Sequence, residues 1–181
     1  MQFILTKIPD VILIEPKVFG DARGYFMETW EQRKFAAAGI HADFVQDNHS
    51  KSVRDTLRGL HYQIEQPQGK LVRVVSGEVY DVVVDIRRSS PTFGQWIAET
   101  LSADNKRMLW VPPGCAHGFL VTGEEAEFTY KCTDFYAPQH ERCIRWDDKD
   151  LNINWPLNGR EPLVSEKDEQ GTSFKGAEIY E

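Results

Sequence analysis

Short apolar or alternating runs recur along the chain and are separated by turn residues. They lie at residues 11–14, 70–75, 78–86, 95–101, 108–111, 118–122 and 127–132. Ser76 and Gly77 stand between two of these runs and predict a two-residue hairpin. Many short strands at close spacing are typical of an antiparallel sandwich or barrel. We therefore expect a mainly β chain.

One helix is predicted near the start, over residues 31–38. Residues 29–32 read Thr-Trp-Glu-Gln, which is a capping-box pattern, and Gly39 stands where a C-cap would end the helix. After about residue 146 the chain is polar, contains Pro156, Gly159 and Pro162, and shows little periodicity. We expect that segment to wrap back onto the barrel as loops and short helical turns. No repeat or Ser/Gly-rich linker divides residues 1–181, which predicts a single domain.

Composition and charge exclude several classes of protein. The 181 residues are 41% hydrophobic, which is ample for a core and excludes disorder. A net charge of -7 argues against a general nucleic-acid binder, although a local basic pocket could still hold a small anion. No apolar run reaches the roughly 20 residues that span a bilayer, and the first residues do not resemble a signal peptide. Three cysteines without a C-x-x-C pair favour a reducing, cytoplasmic location.

Residues 58–63 read Arg-Gly-Leu-His-Tyr-Gln and form the first candidate site. An arginine near a histidine could hold an anionic ligand beside a base that titrates near neutral pH. Strand alternation would put Arg58 and His61 on opposite faces, so a shared site requires a bulge at Gly59. Taken alone, His61 is better explained as a half-buried histidine in an ordinary sheet.

The second candidate is the segment Pro112-Pro113-Gly114-x-x-His117-Gly118-Phe119. It resembles the second motif of the cupin superfamily, whose members are small double-stranded β-helix barrels. The upstream counterpart reads His61-x-Gln63, so one of the imidazoles of a cupin metal site is missing. A mononuclear metal site needs about three protein ligands. The segment therefore indicates a cupin-like jelly-roll barrel with a few short helices more strongly than it indicates a metal.

Several short motifs in a fixed order extend this resemblance to nearly the whole chain. They are Arg23-Gly24-x-Phe26-x-Glu28, Gln46-Asp47-Asn48, Arg58-Gly59-x-His61-x-Gln63, Lys70, the segment ending at Phe119, and Tyr130. Together they resemble the dTDP-4-dehydrorhamnose 3,5-epimerase family, and the match runs to about Asp168. The resemblance implies an epimerase that acts on a dTDP-sugar with no metal and no cofactor.

The resemblance also implies a role for individual residues. His61 would be the base, Tyr130 the opposing acid, Lys70 the donor that stabilises an oxyanion at C4, and Asp168 the partner that fixes the His61 tautomer. The residues implied in substrate binding are Arg23, Phe26, Glu28, Gln46, Asp47, Asn48, Arg58, His117, Tyr136, Glu141 and Lys167. The family is homodimeric, and the strand from Arg23 to Glu28 is expected to be lent to the neighbouring site.

Three alternatives stay open at this point. A related epimerase could act at C3 or C5 only, on another dTDP-keto-sugar, because product choice would depend on loop shape. A metal-dependent cupin oxygenase would require bound iron. A sugar-binding barrel would hold a nucleotide-sugar without turning it over, but simple binding needs neither a His/Asp pair nor an opposing tyrosine.

Overall fold

The computed structural model describes all 181 residues and contains eleven strands. The strands are β1 (Gln2–Leu5), β2 (Ile12–Glu15), β3 (Val18–Asp21), β4 (Gly24–Met27), β5 (Gln46–Val53), β6 (Leu57–Gln63), β7 (Lys70–Asp85), β8 (Trp96–Ser102), β9 (Met108–Val111), β10 (Cys115–Cys132) and β11 (Glu141–Cys143). The chain also forms two short α-helices, α1 (Gln32–Ala37) and α2 (Glu166–Glu169), and two 3₁₀ turns at Pro138–His140 and Phe174–Gly176. The prediction of a mainly β chain with a few short helices is confirmed. No helix is long and apolar enough to cross a membrane.

Nine strands form one antiparallel sheet in the order β1-β2-β9-β7-β10-β6-β11, with β5 paired to β10 and β8 paired to β7. The long strands β7 and β10 pair along nearly their whole length and connect the two halves of this sheet. Strands β3 and β4 form a separate two-stranded hairpin. Most of the polar residues discussed below lie on β5, β6, β7 and β10.

The predicted hairpin at Ser76 and Gly77 is wrong, because β7 runs without interruption from Lys70 to Asp85. The pairing of β7 with β10 shifts register beside Gly77, and residues 118–122 and 127–132 likewise belong to one strand. Gly77 has a φ of +74°, and a Cβ there would lie 1.8 Å from the Glu125 carbonyl oxygen. A glycine with positive φ serves a bulge as well as a turn, which is why the local pattern misled.

The bulge decides which residues of β7 face the interior. Val72 and Val74 before the bulge and Val79 and Val83 after it all belong to one buried cluster. The side chains that face the interior therefore lie at even-numbered positions before the bulge and at odd-numbered positions after it. On β10 the inward-facing positions change in the opposite sense, from odd-numbered residues such as Phe119 to even-numbered residues such as Phe128, and both of these belong to the cluster. Without the bulge, one half of each long strand would turn its apolar side outward.

Two further apolar clusters cover the outer faces of the sheet. Helix α1 contributes Phe35, which packs against Ile14 and Met108 of β2 and β9. The segment after residue 146 lies against β6, β7 and β10 and packs Trp155 and other side chains on them. Its backbone forms isolated bridges to the barrel at three pairs: Thr56 with Leu163, Arg87 with Tyr180, and Ile144 with Thr172.

Helix α1 starts later than the capping-box pattern suggests. Its N-cap is Glu31, whose carboxylate accepts a hydrogen bond from the Lys34 backbone N–H, and its C-cap is Ala38. Gly39 follows with a φ of +86°. The predicted helix is therefore present, but Thr29 is not its cap.

Candidate active site

Polar side chains from five strands surround a cavity of about 400 Å³. The lining residues are Gln46, Asn48, Ser50, Arg58, His61, Tyr62, Gln63, Gln68, Lys70, His117, Gly118, Phe119, Phe128, Tyr130, Tyr136 and Glu141. Nine of the predicted site residues meet here: Gln46, Asn48, Arg58, His61, Lys70, His117, Tyr130, Tyr136 and Glu141. A cavity of this size suits a small-molecule ligand.

Strand alternation explains why these side chains converge. Asn48 of β5 lies directly opposite Tyr130 of β10, and Gln46 lies opposite Cys132. Lys70 of β7 also pairs with Cys132 from the other side of β10. Directly paired residues share a face of the sheet, so these residues project inward together.

The predicted bulge at Gly59 is confirmed. His61 pairs with His117 and Arg58 pairs with Phe119, so two residues intervene on β6 where only one intervenes on β10. Gly59 has a φ of +104°, and a Cβ there would lie 2.5 Å from the His117 carbonyl oxygen. The extra residue brings Arg58 and His61 to the same face, and both line the cavity.

Asp168 lies behind His61 and is almost fully buried. Burial would raise the pKa of Asp168, but the hydrogen bond and charge interaction with His61 outweigh burial and lower the pKa below its usual value. An ionised carboxylate can only accept, so His61 donates from Nε2 to Asp168 Oδ1. The Gly59 N–H lies 3.4 Å from the other carboxylate oxygen, and Ser165 caps the short helix that carries Asp168. This arrangement holds one imidazole tautomer and leaves the Nδ1 lone pair free.

Lys70 and Tyr130 are both perturbed by burial. Burial lowers the pKa of the Lys70 ammonium, despite the opposing influence of Cys132 and Glu141. Burial also raises the pKa of the Tyr130 phenol, and Cys132 raises it further while Arg58 opposes the rise. At neutral pH, Tyr130 is therefore a protonated phenol that can donate a proton or hydrogen bond into the cavity.

Asp81 was missed in the sequence and is a central buried group. Both of its carboxylate oxygens lie 3.0 Å from Nε2 of His117, and its side chain is fully buried on β7. Burial raises the pKa of Asp81 more than the contacts with His117 lower it. The His117 ring also stacks on Phe128 at a centroid distance of 6.1 Å. An acidic residue inside the apolar run 78–86 was the available signal.

A small network closes the rim of the cavity. The Tyr136 hydroxyl donates to Glu141 at 2.6 Å, and Lys167 forms an ion pair with the same carboxylate. Burial would raise the pKa of Glu141, but the hydrogen bonds from Lys167 and Tyr136 lower it. Lys167 itself therefore reaches the cavity only through Glu141.

Besides Lys167, four predicted binding residues do not line this cavity within the chain. The side chain of Asp47 lies on the outer face of β5, where Lys131 binds it at 2.9 Å, because neighbouring strand residues point to opposite faces. Arg23 and Phe26 lie on or beside the separate β3–β4 hairpin, and Phe26 is 68% exposed. Glu28 follows the hairpin and pairs with Lys34.

The donor positions of the cupin motif do not fit a metal ion. Nε2 of His61 is engaged by Asp168 and Nε2 of His117 by Asp81. The amide of Gln63 binds the backbone, donating to Gln66 and Phe135 and accepting from Ala137. These side chains therefore act as hydrogen-bonding groups and not as a convergent ligand set.

Comparison with known proteins places this chain among nucleotide-sugar epimerases. The family described as dTDP-4-dehydrorhamnose 3,5-epimerase matches residues 5–176. A dTDP-4-dehydrorhamnose 3,5-epimerase of Pseudomonas aeruginosa is 63% identical over 181 residues, which cover 99% of each chain.

Solved structures agree with this match. The 3,5-epimerase of Legionella pneumophila, solved with dTDP-4-keto-L-rhamnose, superposes with a TM-score of 0.95 at 48% identity, covering 98% of this chain and 94% of that one. This likeness confirms the predicted cupin-like barrel. A 3'-monoepimerase of Streptomyces bikiniensis, solved with dTDP-quinovose, has a TM-score of 0.88 at 34% identity, covering 94% of this chain and 87% of that one.

Proposed function

Because the chain belongs to the dTDP-4-dehydrorhamnose 3,5-epimerase family and is an epimerase, we propose that it inverts C3 and C5 of dTDP-4-dehydro-6-deoxy-D-glucose. The product is dTDP-4-dehydro-L-rhamnose. The observation that carries this proposal is the meeting of the His61–Asp168 pair, Lys70 and Tyr130 around one cavity. These groups supply a base, an oxyanion donor and an acid.

The ketone at C4 makes the protons at C3 and C5 acidic. His61 removes a proton through its free Nδ1, and the electrons move onto the C4 oxygen to form an enolate. Lys70 donates to that oxygen, a contribution that is typically about 10²–10³-fold for one oxyanion donor. Tyr130 then returns a proton to the carbon from the other face, which inverts the centre. General base catalysis typically contributes a further ~10²–10⁴-fold.

Asp168 supports this chemistry without touching the sugar. Its carboxylate keeps the Nε2 proton in place and stabilises the imidazolium that forms when His61 takes a proton. Its lowered pKa keeps it ionised throughout the neutral range. The segment after residue 146 thus has a functional role, since it positions Asp168 against His61.

The nucleotide is held by residues of two subunits in this proposal. Arg58, Gln46 and Asn48 line the cavity in the same chain as His61. Arg23, Phe26 and Glu28 of one subunit of a homodimer reach the site of the other subunit. The isolated β3–β4 hairpin supports this, because Phe19, Tyr25 and Phe26 are all more than half exposed on it.

The proposed cellular setting is the cytoplasm. All three cysteines, Cys115, Cys132 and Cys143, are free, which suits a reducing compartment. Neither nucleic acid nor a membrane is part of the proposed function.

Monoepimerisation is the second candidate function, and the likeness to the Streptomyces bikiniensis 3'-monoepimerase favours it. Both reactions need the same base and acid, so the residues described above do not separate them. The metal-dependent oxygenase gains no support, because the histidines of the cupin motif are engaged by carboxylates.

Incubation with dTDP-4-dehydro-6-deoxy-D-glucose in D₂O, followed by NMR, tests the proposal. Deuterium at both C3 and C5 of an inverted product is the expected result. Deuterium at one carbon only would establish a monoepimerase, and deuterium at neither would reject the epimerase mechanism.

A further inference from the structure

A thiol stands beside the His61–Asp168 pair and has no part in the proposed reaction. Cys143 of β11 lies directly opposite His61 of β6 in the strand register. Its Sγ is 3.8 Å from Asp168 Oδ1, the same oxygen that His61 Nε2 contacts. The nitrogen, sulfur and oxygen atoms all lie within 4.8 Å of one another.

These three atoms are a ligand set for a borderline-soft divalent cation. Zinc binds sulfur at about 2.3 Å and imidazole nitrogen or carboxylate oxygen at about 2.0–2.2 Å in a tetrahedral arrangement. Such bond lengths place neighbouring ligand atoms about 3.3–3.7 Å apart. The 3.8 Å between Cys143 Sγ and Asp168 Oδ1 is close to this spacing. His61 Nε2 must give up its direct hydrogen bond to Asp168, and the three ligand atoms, which lie within 4.8 Å of one another, must adopt this spacing as the ion binds.

We propose that His61, Cys143 and Asp168 form an inhibitory site for Zn²⁺ or a similar soft divalent cation. The site shares only His61 with the cupin motif, because the second histidine of that motif, His117, faces Asp81.

His61 is the ligand that connects this cluster with the cavity. Its side chain lines the cavity and is 27% exposed, whereas Asp168 is only 4% exposed and Cys143 is half-buried. An ion would therefore enter past the His61 ring, and its fourth position would take a water molecule. The Gly59 N–H beside the other oxygen of Asp168 would orient the carboxylate, as outer partners of metal ligands commonly do.

Metal binding has a defined proton balance. The Cys143 thiol loses its proton to solvent as the metal–sulfur bond forms. The hydrogen on Nε2 of His61 exchanges through solvent to Nδ1, so that Nε2 can bind the ion. One proton is released for each ion, and His61 has no free lone pair left for the substrate. The binding site does not depend on the proposed catalytic roles; only the inhibition rests on them.

The test begins with the substrate-free protein titrated with Cd²⁺ as a spectroscopic substitute for Zn²⁺. We expect an ultraviolet thiolate-to-metal band that saturates at one ion and one released proton for each chain. Cys143→Ala should abolish the band. Cys115→Ala is the matched control, since that buried cysteine lies in the main core cluster away from His61, and it should keep the band.

Activity supplies the second measurement. Micromolar free Zn²⁺ should inhibit epimerisation reversibly, with recovery in EDTA. Inhibition of Cys143→Ala is measured relative to the metal-free rate of that variant. Its half-inhibition should require at least about 10–100-fold more Zn²⁺ than half-inhibition of the wild type, because loss of a ligand weakens the metal site. Cys143→Ser, which keeps the side-chain size, should show the same loss and guards against a folding defect.

Three results would overturn the site. A band that persists in Cys143→Ala would place the ion at another cysteine. Unchanged zinc sensitivity in both Cys143 variants would place the inhibition elsewhere, and the absence of any band would show that no thiolate binds. If epimerase activity itself were missing, the band would still test the metal site.

Discussion

Asp168 and His61 are 107 residues apart in the sequence but share a hydrogen bond. The contact depends on three local details: a bulge at Gly59, a helix capped by Ser165, and a backbone N–H directed at the carboxylate. At the scale of single residues, the catalytic proposal therefore rests on a histidine whose tautomer is set by a remote part of the chain.

Removing either member of this pair should reduce turnover strongly. His61→Asn and Asp168→Asn should each lower kcat, and the loss for His61→Asn should be at least about 10²-fold, because the base is removed. The double variant should be no worse than His61→Asn alone, since the two residues act as a unit. Saturating-substrate kinetics measure these values.

Glu166→Gln provides the matched control for this pair. It lies on the same short helix as Asp168, is exposed, and makes no contact with His61. It should keep wild-type kcat. A normal kcat in Asp168→Asn would contradict the role given to the carboxylate.

The sequence predicted most of the residues that line the cavity, but not the buried residues that contact them. His61 could be selected from its motif, whereas Lys70 and Tyr130 could be selected only because the ordered set of motifs resembles an epimerase family. Asp81 showed only as an acidic residue inside an apolar run, since its importance depends on its contact with His117 on the neighbouring strand. Asp47 shows the converse, because a residue inside a motif can still point to the outer face when strand alternation requires it.

At the scale of elements, two glycine bulges decide which side chains enter the barrel. The bulge at Gly59 could be predicted, because a shared face for Arg58 and His61 demanded an extra residue. The bulge at Gly77 could not be separated from a hairpin, because both place a glycine at positive φ. Only the long-range pairing of β7 with β10 distinguishes them.

Gly59→Ala should impair both stability and catalysis. The new Cβ would lie 2.5 Å from the His117 carbonyl oxygen and 2.7 Å from the Gly118 Cα, at a φ that side chains rarely adopt. We expect the free energy of unfolding to fall by roughly 1–3 kcal/mol, the usual range for backbone strain of this kind. The kcat should fall as well, because Arg58 and His61 no longer share their face.

Urea denaturation and steady-state kinetics measure these effects, with Gly123→Ala of β10 as the control. A Cβ at Gly123 meets its nearest atom at 3.4 Å, an ordinary contact, and the φ of Gly123 is not positive. That variant should resemble the wild type. Equal stability and equal kcat of the two variants would show that the Gly59 bulge does not shape the site.

At the scale of the whole molecule, the hairpin β3–β4 stands apart from the nine-stranded sheet. It carries exposed aromatic rings and does not bring Arg23 to the cavity of its own chain. The net charge of -7 describes the surface, whereas Arg58 and Lys70 make the cavity locally basic. An anionic nucleotide would therefore bind where the global charge does not predict it.

Mixed dimers test whether the hairpin completes a neighbouring site. His61→Asn should be inactive, and Arg23→Ala should lose about 10–100-fold in kcat/KM, because a charge-assisted hydrogen bond to phosphate is worth roughly 1.5–3 kcal/mol. When the two variants are unfolded together and refolded, half of the dimers are hybrids, and each hybrid contains one complete site. Activity should then rise to about a quarter of the wild-type value in a kinetic assay.

The control mixes His61→Asn with Asp168→Asn in the same way. Both residues belong to one chain's site, so each hybrid then contains two defective sites, and that mixture should regain no activity. Native mass spectrometry of each refolded mixture checks that hybrids form. If hybrids form and the Arg23 pair still fails to regain activity, Arg23 serves its own chain and the shared site is contradicted.

The most direct test of the central claim uses Tyr130→Phe in D₂O with dTDP-4-dehydro-6-deoxy-D-glucose. His61 is intact in this variant, so it should still remove a proton and return a deuteron from the same face. NMR should therefore show deuterium entering the substrate with its configuration retained, while formation of the inverted product falls sharply. Inversion at the wild-type rate, or loss of exchange together with inversion, would contradict the assignment of His61 as base and Tyr130 as the opposing acid.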